Sequence, residues 1–119
     1  MKNQIILKGI LCQPLEGRIS GGGIKIVKGS IMVKDSDDTY YFKFYAFNEV
    51  AELMQNNLFV GNVFTIYGKL TQYTYKNKED KSISLTEICV DSFEKNINLK
   101  KKNKKEHVMR DIEGIKQWV

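Results

Sequence analysis

The 119 residues carry 19 basic and 14 acidic side chains, a net charge of +5, and make one domain with a tail, large enough to bury a core without disulfide staples. No apolar run approaches the roughly 18 residues of a membrane span, and no leader pattern precedes the first apolar run, so a soluble, cytoplasmic chain with no membrane contact is expected. Residues 95–119 hold eight basic and three acidic residues while residues 1–94 hold eleven of each, which excludes bulk charge as the body's means of holding a polyanion and leaves local lysine placement or ring stacking.

In Asn3 to Leu11, the apolar positions Ile5, Ile6, Leu7, Ile10 and Leu11 are interrupted by Lys8 and Gly9, which predicts a first strand bent at the glycine. Glu16 to Gly23, with Gly17 and the triplet Gly21-Gly22-Gly23, reads as a flexible hairpin tip. It is not a phosphate-cradling loop, because no Gly-Lys-Ser/Thr ending follows. Ile24 to Lys34 predicts a second strand. Ile24 and Ile26 share one face and Ile31 and Val33 another, so a bulge is expected near Lys28 or Gly29.

After the acidic turn Lys34 to Asp38 comes the stretch Asp38 to Phe47, DTYYFKFYAF. Alternation puts Tyr41, Lys43, Tyr45 and Phe47 on one face and Phe42, Phe44 and Ala46 on the other. A half-buried strand usually keeps one face polar, so an outward row of three rings and a cation asks for its own partner, and stacked bases suit it. A subunit contact is the competing reading.

Asn48 reads as a helix cap, with Val50, Leu53 and Met54 on one helical face and Asn56 and Asn57 at the end. From Gly61 to Leu70 strand character returns, with Val63, Thr65, Tyr67 and Lys69 outward against Phe64, Ile66, Gly68 and Leu70 as core. Tyr73 and Tyr75 continue the phase of Tyr67 and Lys69, where ordinary cross-strand packing is the alternative use of a tyrosine. Lys76 to Lys81 is a polar hairpin loop, and Ser82 to Phe93 a last strand with Ile83, Leu85, Ile88 and Val90 as core positions. Lys100 to Lys105 places five lysines in six residues, suited to phosphate or to a solvated linker. Val108, Ile112, Ile115 and Val119, with Trp118 beside them, fall on one face of a short amphipathic helix. Such a stripe packs on its own domain, on a sister subunit or on another protein.

Three strands, a helix and two strands predict an all-β fold with one short helix, a five-stranded Greek-key OB-fold barrel over residues 1–94, followed by a basic tail over residues 95–119. No enzyme is expected. His107, the single histidine, has no nucleophile near it, Asp35, Asp37 and Asp38 lack the spacing of a metal loop, and Cys12 and Cys89 read as isolated, reduced, buried thiols. Catalytic residues, metals and cofactors are therefore expected to be none. The candidate nucleic-acid contacts are Tyr41, Lys43, Tyr45, Phe47, Tyr67, Lys69, Tyr73, Tyr75 and Lys76, with Lys28 and Lys34 from the second strand.

The strings NQIILKG, TYYFKFYAF leading into a helix, GNVFTIYGKLTQYTY and LTEICVDS, in that order and spacing, resemble the bacterial single-stranded DNA-binding protein family from residue 3 to about 94. The resemblance implies an OB-fold homo-oligomer, a tetramer or dimer, that wraps single-stranded DNA without sequence preference in replication, recombination or DNA transfer. By the same resemblance Tyr41, Phe47 and Tyr75 fall at stacking positions and Lys43 at a position usually basic. The short acidic turn replaces the family's long basic loop, so one stacking position has no counterpart. A long Gly-rich linker and an acidic, apolar-ended tip are also missing, which points to a phage, plasmid or other mobile-element version that reaches replication or transfer proteins through its own tail. Two other readings stay open: an OB-fold protein-interaction module of a primosome or transfer complex, and an RNA-binding OB protein, since stacking tolerates either backbone.

Overall fold

Alternating apolar residues build six strands and one helix in the computed structural model, which describes residues 1–96. They are β1 (Ile5–Leu11), β2 (Glu16–Ile19), β3 (Lys25–Asp35), β4 (Asp38–Phe47), α1 (Asn48–Asn57), β5 (Val63–Lys76) and β6 (Ser82–Lys95). The expectations placed on Lys100 to Lys105, His107 and Val108 to Val119 lie outside the described residues.

Strands follow one another in the order β1-β5-β6-β4-β3, and β3 returns to β1 through Ile10↔Met32 and Leu11↔Ile31, which closes the barrel. Only β4 and β6 run parallel among these neighbours, as a Greek-key crossover requires. This is the expected OB-fold. Gly9 of β1 lies at the closure, where a side chain would collide with the Met32 carbonyl. Without one, β3 can approach.

Inside, Leu11, Val27, Ile31, Phe44, Ala46, Phe64, Ile66, Ile88 and Val90 form one apolar cluster, which Ala51, Met54 and Leu58 seal at the helix end. Phe44 and Phe64 meet edge to face at 5.8 Å. Each large apolar side chain so buried contributes about 1.5–3 kcal/mol relative to exposure.

Several sequence expectations are corrected. Glu16 to Ile19 is a strand paired with Lys25–Lys28 of β3, and only the turn from Ser20 to Gly23, with Gly23 at φ 84°, remains of the hairpin tip. The bulge in β3 does not exist. Its register with β4 is unbroken from Ile26↔Phe47 to Asp35↔Asp38, and Gly29 faces inward because the Phe44 ring and Leu15 occupy the space a side chain would need. Asn48 does not cap α1. It takes the left-handed conformation at φ 51°, Phe47 stands at the cap position without a side-chain bond, and the inward face is Val50, Ala51, Met54 and Leu58, so of the three expected residues only Leu53 is exposed.

The remaining corrections concern the two hairpin arms, β3–β4 and β5–β6, and the cysteines. Phe42 (38% exposed) and Leu70 (46%) keep the inward phase yet meet solvent, although their ladder partners Ile31 and Ile88 are buried in the core. Ile83 and Leu85 differ in parity from Ile88 and Val90 with no irregularity between them, so they take the opposite face, beside Tyr75 and Tyr73. The bulge lies elsewhere, at Asp91, opposite the Tyr67–Gly68 step. Cys12 and Cys89 are free thiols as expected, but half-buried rather than buried.

Candidate nucleic-acid interface

Register brings most of the candidate residues onto one side of the sheet. The pairs Lys28↔Tyr45, Tyr45↔Cys89 and Cys89↔Lys69 make a continuous row across β3, β4, β6 and β5. Residues directly opposite in a ladder share a face, so this row and its neighbours two residues away define one outward surface. Ser30 and Lys43 form the next pair, then Met32, which is buried where β3 meets β1, and the exposed Tyr41. On the other arm, Thr71 stands opposite Glu87, Tyr73 opposite Leu85 and Tyr75 opposite Ile83.

Between the arms lies a shallow groove of about 280 Å³. Lys28, Lys43 and Tyr73 line it, together with Ser30, Leu85 and Glu87. Three candidates from three strands thus meet at one concavity. Leu85, Ser30 and Glu87 were missed by sequence reasoning. The outward parity of Glu87 and Leu85 was the available signal, obscured by the apolar run that follows them.

The rings divide into two kinds. Tyr41 is 55% exposed, and Phe47, Tyr73 and Tyr75 are exposed to similar extents. Tyr73 and Tyr75 lie 6.5 Å apart with planes tilted by 33°. Each offers a π-face on a rigid strand. Tyr45 is half-buried, meets Phe47 edge to face at 5.4 Å, and its hydroxyl bonds Thr71 Oγ1 at 2.9 Å. It therefore serves the framework as well as the surface.

Tyr67 is also half-buried, farther along β5 between Ile6 and Ser92. Partial burial, then the charge of Glu94 and a hydrogen bond to its carboxylate, push the Tyr67 hydroxyl above its usual pKa. An acid beside it makes this a poor approach for phosphate. Lys69 is exposed next to it, Lys34 lies near the tip of the β3–β4 arm opposite Thr39, and Lys76 pairs with Asp80 at 3.6 Å in the β5–β6 turn. That last pair is fully at the surface, where such contacts hold a side chain weakly.

Glu16 and Glu87 enter the groove beside Lys28 and Lys43, so its field is mixed rather than strongly positive. A mixed groove flanked by rings and lysines can take neutral bases inward and keep phosphates on the lysine rims. Cys12, whose Sγ is 3.5 Å from the Ser30 carbonyl, lies behind this wall, and burial pushes its thiol pKa up against the opposing effect of its own backbone N–H. It is not poised as a nucleophile. Among the described residues no group of three His, Cys, Asp or Glu side chains could hold a metal ion, and no helix is long and apolar enough to cross a membrane.

Residues 2–96 match the single-strand binding protein family. The chain is also similar to a protein of Malacoplasma penetrans (strain HF-2) described as "Single-stranded DNA-binding protein", with 29% identity over 93 residues that cover 76% of this chain. The chain spans about half the length of that relative, 49%.

Proposed function

Because the chain belongs to the single-strand binding protein family, we propose that its outward β3–β4–β6–β5 face binds single-stranded DNA without sequence preference. Bases stack on Tyr41, Phe47, Tyr73 and Tyr75, and phosphates meet Lys28, Lys43 and Lys69, with Lys34 and Lys76 serving the arm tips. The observation that carries this reading is the coincidence, on one face, of four exposed rings with the lysine row. Stacking is worth about 1–3 kcal/mol per base and reads no sequence. Such affinity does not need a charged body.

Coating of exposed strands by this means serves replication, recombination and DNA transfer alike. We place the chain in a homo-oligomer, since β1 meets β3 only at Ile10 and Leu11, leaving the same edge from Ile5 to Lys8 for a second copy's strand, with Ile6 prominent beside it. The deciding experiment is a fluorescence titration with labelled oligo-dT and with matched duplex at two salt concentrations. Strand-selective binding that survives moderate salt supports the proposal, and equal or absent binding overturns it.

A further inference from the structure

A second concave surface lies at the far end of α1, bordering the groove between the arms at Pro14. Leu11, Pro14, Leu15, Leu58, Phe59 and Val60, with Gln55, line a mostly apolar groove of about 390 Å³. Its outer wall is the turn after α1, where Phe59 (61% exposed) and Val60 (53%) stand consecutively in solvent. That turn is a built feature. Asn62 Oδ1 accepts from the Phe59 N–H at 2.8 Å, Gly61 takes φ 95°, and its N–H reaches the Leu11 carbonyl at 2.8 Å. Two large apolar side chains are thus held outward by a fixed backbone, which asks for a cover.

The described chain ends beside this groove. Lys95 Nζ lies 6.0 Å from the Phe59 ring centre, and Asn96 is tied down by its N–H to the Val63 carbonyl at 2.9 Å and by Thr65 Oγ1 at 3.1 Å. Residues 97–119 therefore start at the groove's rim. Their sequence carries the apolar positions Val108, Ile112, Ile115 and Val119 at helical spacing, with Trp118 adjacent. The twelve residues from Asn96 to Val108 reach up to about 40 Å when extended, far more than the groove requires. A tether of that length keeps the segment at an effective concentration on the order of millimolar, so even weak docking is populated within one chain.

We propose that residues 108–119 dock their apolar face into the Leu15–Leu58–Phe59–Val60 groove of the same chain, with Trp118 as the anchor. Pro14 borders both this groove and the one between the arms, so the docking is tested by its own readout, the Trp118 indole, and not by nucleic-acid binding.

Trp118 is the single tryptophan, which makes the full chain its own reporter. The expected result is blue-shifted emission at all protein concentrations, with acrylamide quenching about twofold or more weaker than in the Phe59→Asp or Val60→Asp variant, as follows when the docked form is the major population. Both substitutions fall on exposed side chains, and far-UV circular dichroism confirms that the barrel persists. Nuclear Overhauser contacts between the Trp118 indole and the methyls of Leu15, Leu58 or Val60 provide the same test in the unaltered chain. Solvent-exposed emission in that chain, shielding that survives both substitutions, or absence of those contacts overturns the proposal. Shielding that disappears on dilution overturns it too, because the groove is then filled by another copy.

Discussion

The Tyr45 hydroxyl lies 2.9 Å from Thr71 Oγ1, and Thr71 in turn donates to the Glu87 carbonyl at 3.0 Å. A carbonyl only accepts and a hydroxyl has one proton, so Tyr45 must be the donor to Thr71. The chain of bonds passes over β6 and ties β4 to β5 beneath the lysine row. It fixes the relation between the two arms that carry the exposed rings.

Removing that hydroxyl with Tyr45→Phe should lower unfolding stability by about 0.5–1.5 kcal/mol, the net worth of one hydrogen bond. Thr71 keeps its bond to Glu87. Urea denaturation measures the loss, and affinity for oligo-dT should change little. A large affinity loss at unchanged stability would instead place the Tyr45 hydroxyl on the ligand.

Tyr41→Ala together with Tyr75→Ala should weaken oligo-dT binding by about 10-fold or more, since each stacked base is worth about 1–3 kcal/mol and 1.4 kcal/mol is tenfold. Both rings stand on arms outside the core, so thermal melting should be nearly unchanged. Unaltered affinity would discard stacking at these positions.

Lys28→Ala with Lys43→Ala should make the salt dependence of binding shallower, by about 0.7 in the slope of log K against log salt for each phosphate that is no longer neutralised. Removal of residues 97–119 tests the lysine cluster separately. The cut belongs after Asn96, because β6 runs to Lys95 and Asn96 is hydrogen-bonded to the body. A slope that stays the same after either change means that those lysines do not meet phosphate.

The raised pKa of Tyr67 gives a pH signature. A hydroxyl that ionises at higher pH in the folded state than in the unfolded one contributes stability below the unfolded value, about 10. That contribution is lost as pH rises through the folded value. Denaturation midpoints between about pH 9 and pH 11 should therefore fall less steeply for Tyr67→Phe than for the natural chain. Glu94→Gln should shift tyrosinate absorbance to lower pH, because the Glu94 carboxylate acts after burial in holding the hydroxyl up.

What sequence alone determined here is what a two-residue period can carry. The parity of Tyr41, Lys43, Phe47, Tyr73 and Tyr75, and the burial of Phe44, Ala46, Phe64 and Ile66, follow from alternation within single strands. The order of the five barrel strands, with the helix after the third of them, then restricts the topology to an OB barrel, although the short strand Glu16–Ile19 reads as a hairpin tip. Which inward positions are covered is not written in a strand's period. Phe42 and Leu70 read as core because their phase is inward, yet they meet solvent beside buried ladder partners, Ile31 and Ile88, because burial depends on what packs over the sheet at each row. In the same way Gly29 read as a bulge until the Phe44 ring and Leu15 were seen to fill its face. Tertiary structure alone brought Lys28, Lys43, Tyr73 and Glu87 to one groove, because their nearness depends on the pairing of β4 with β6, two strands separated by a helix and a whole hairpin strand, and no local pattern reports a contact made across that distance.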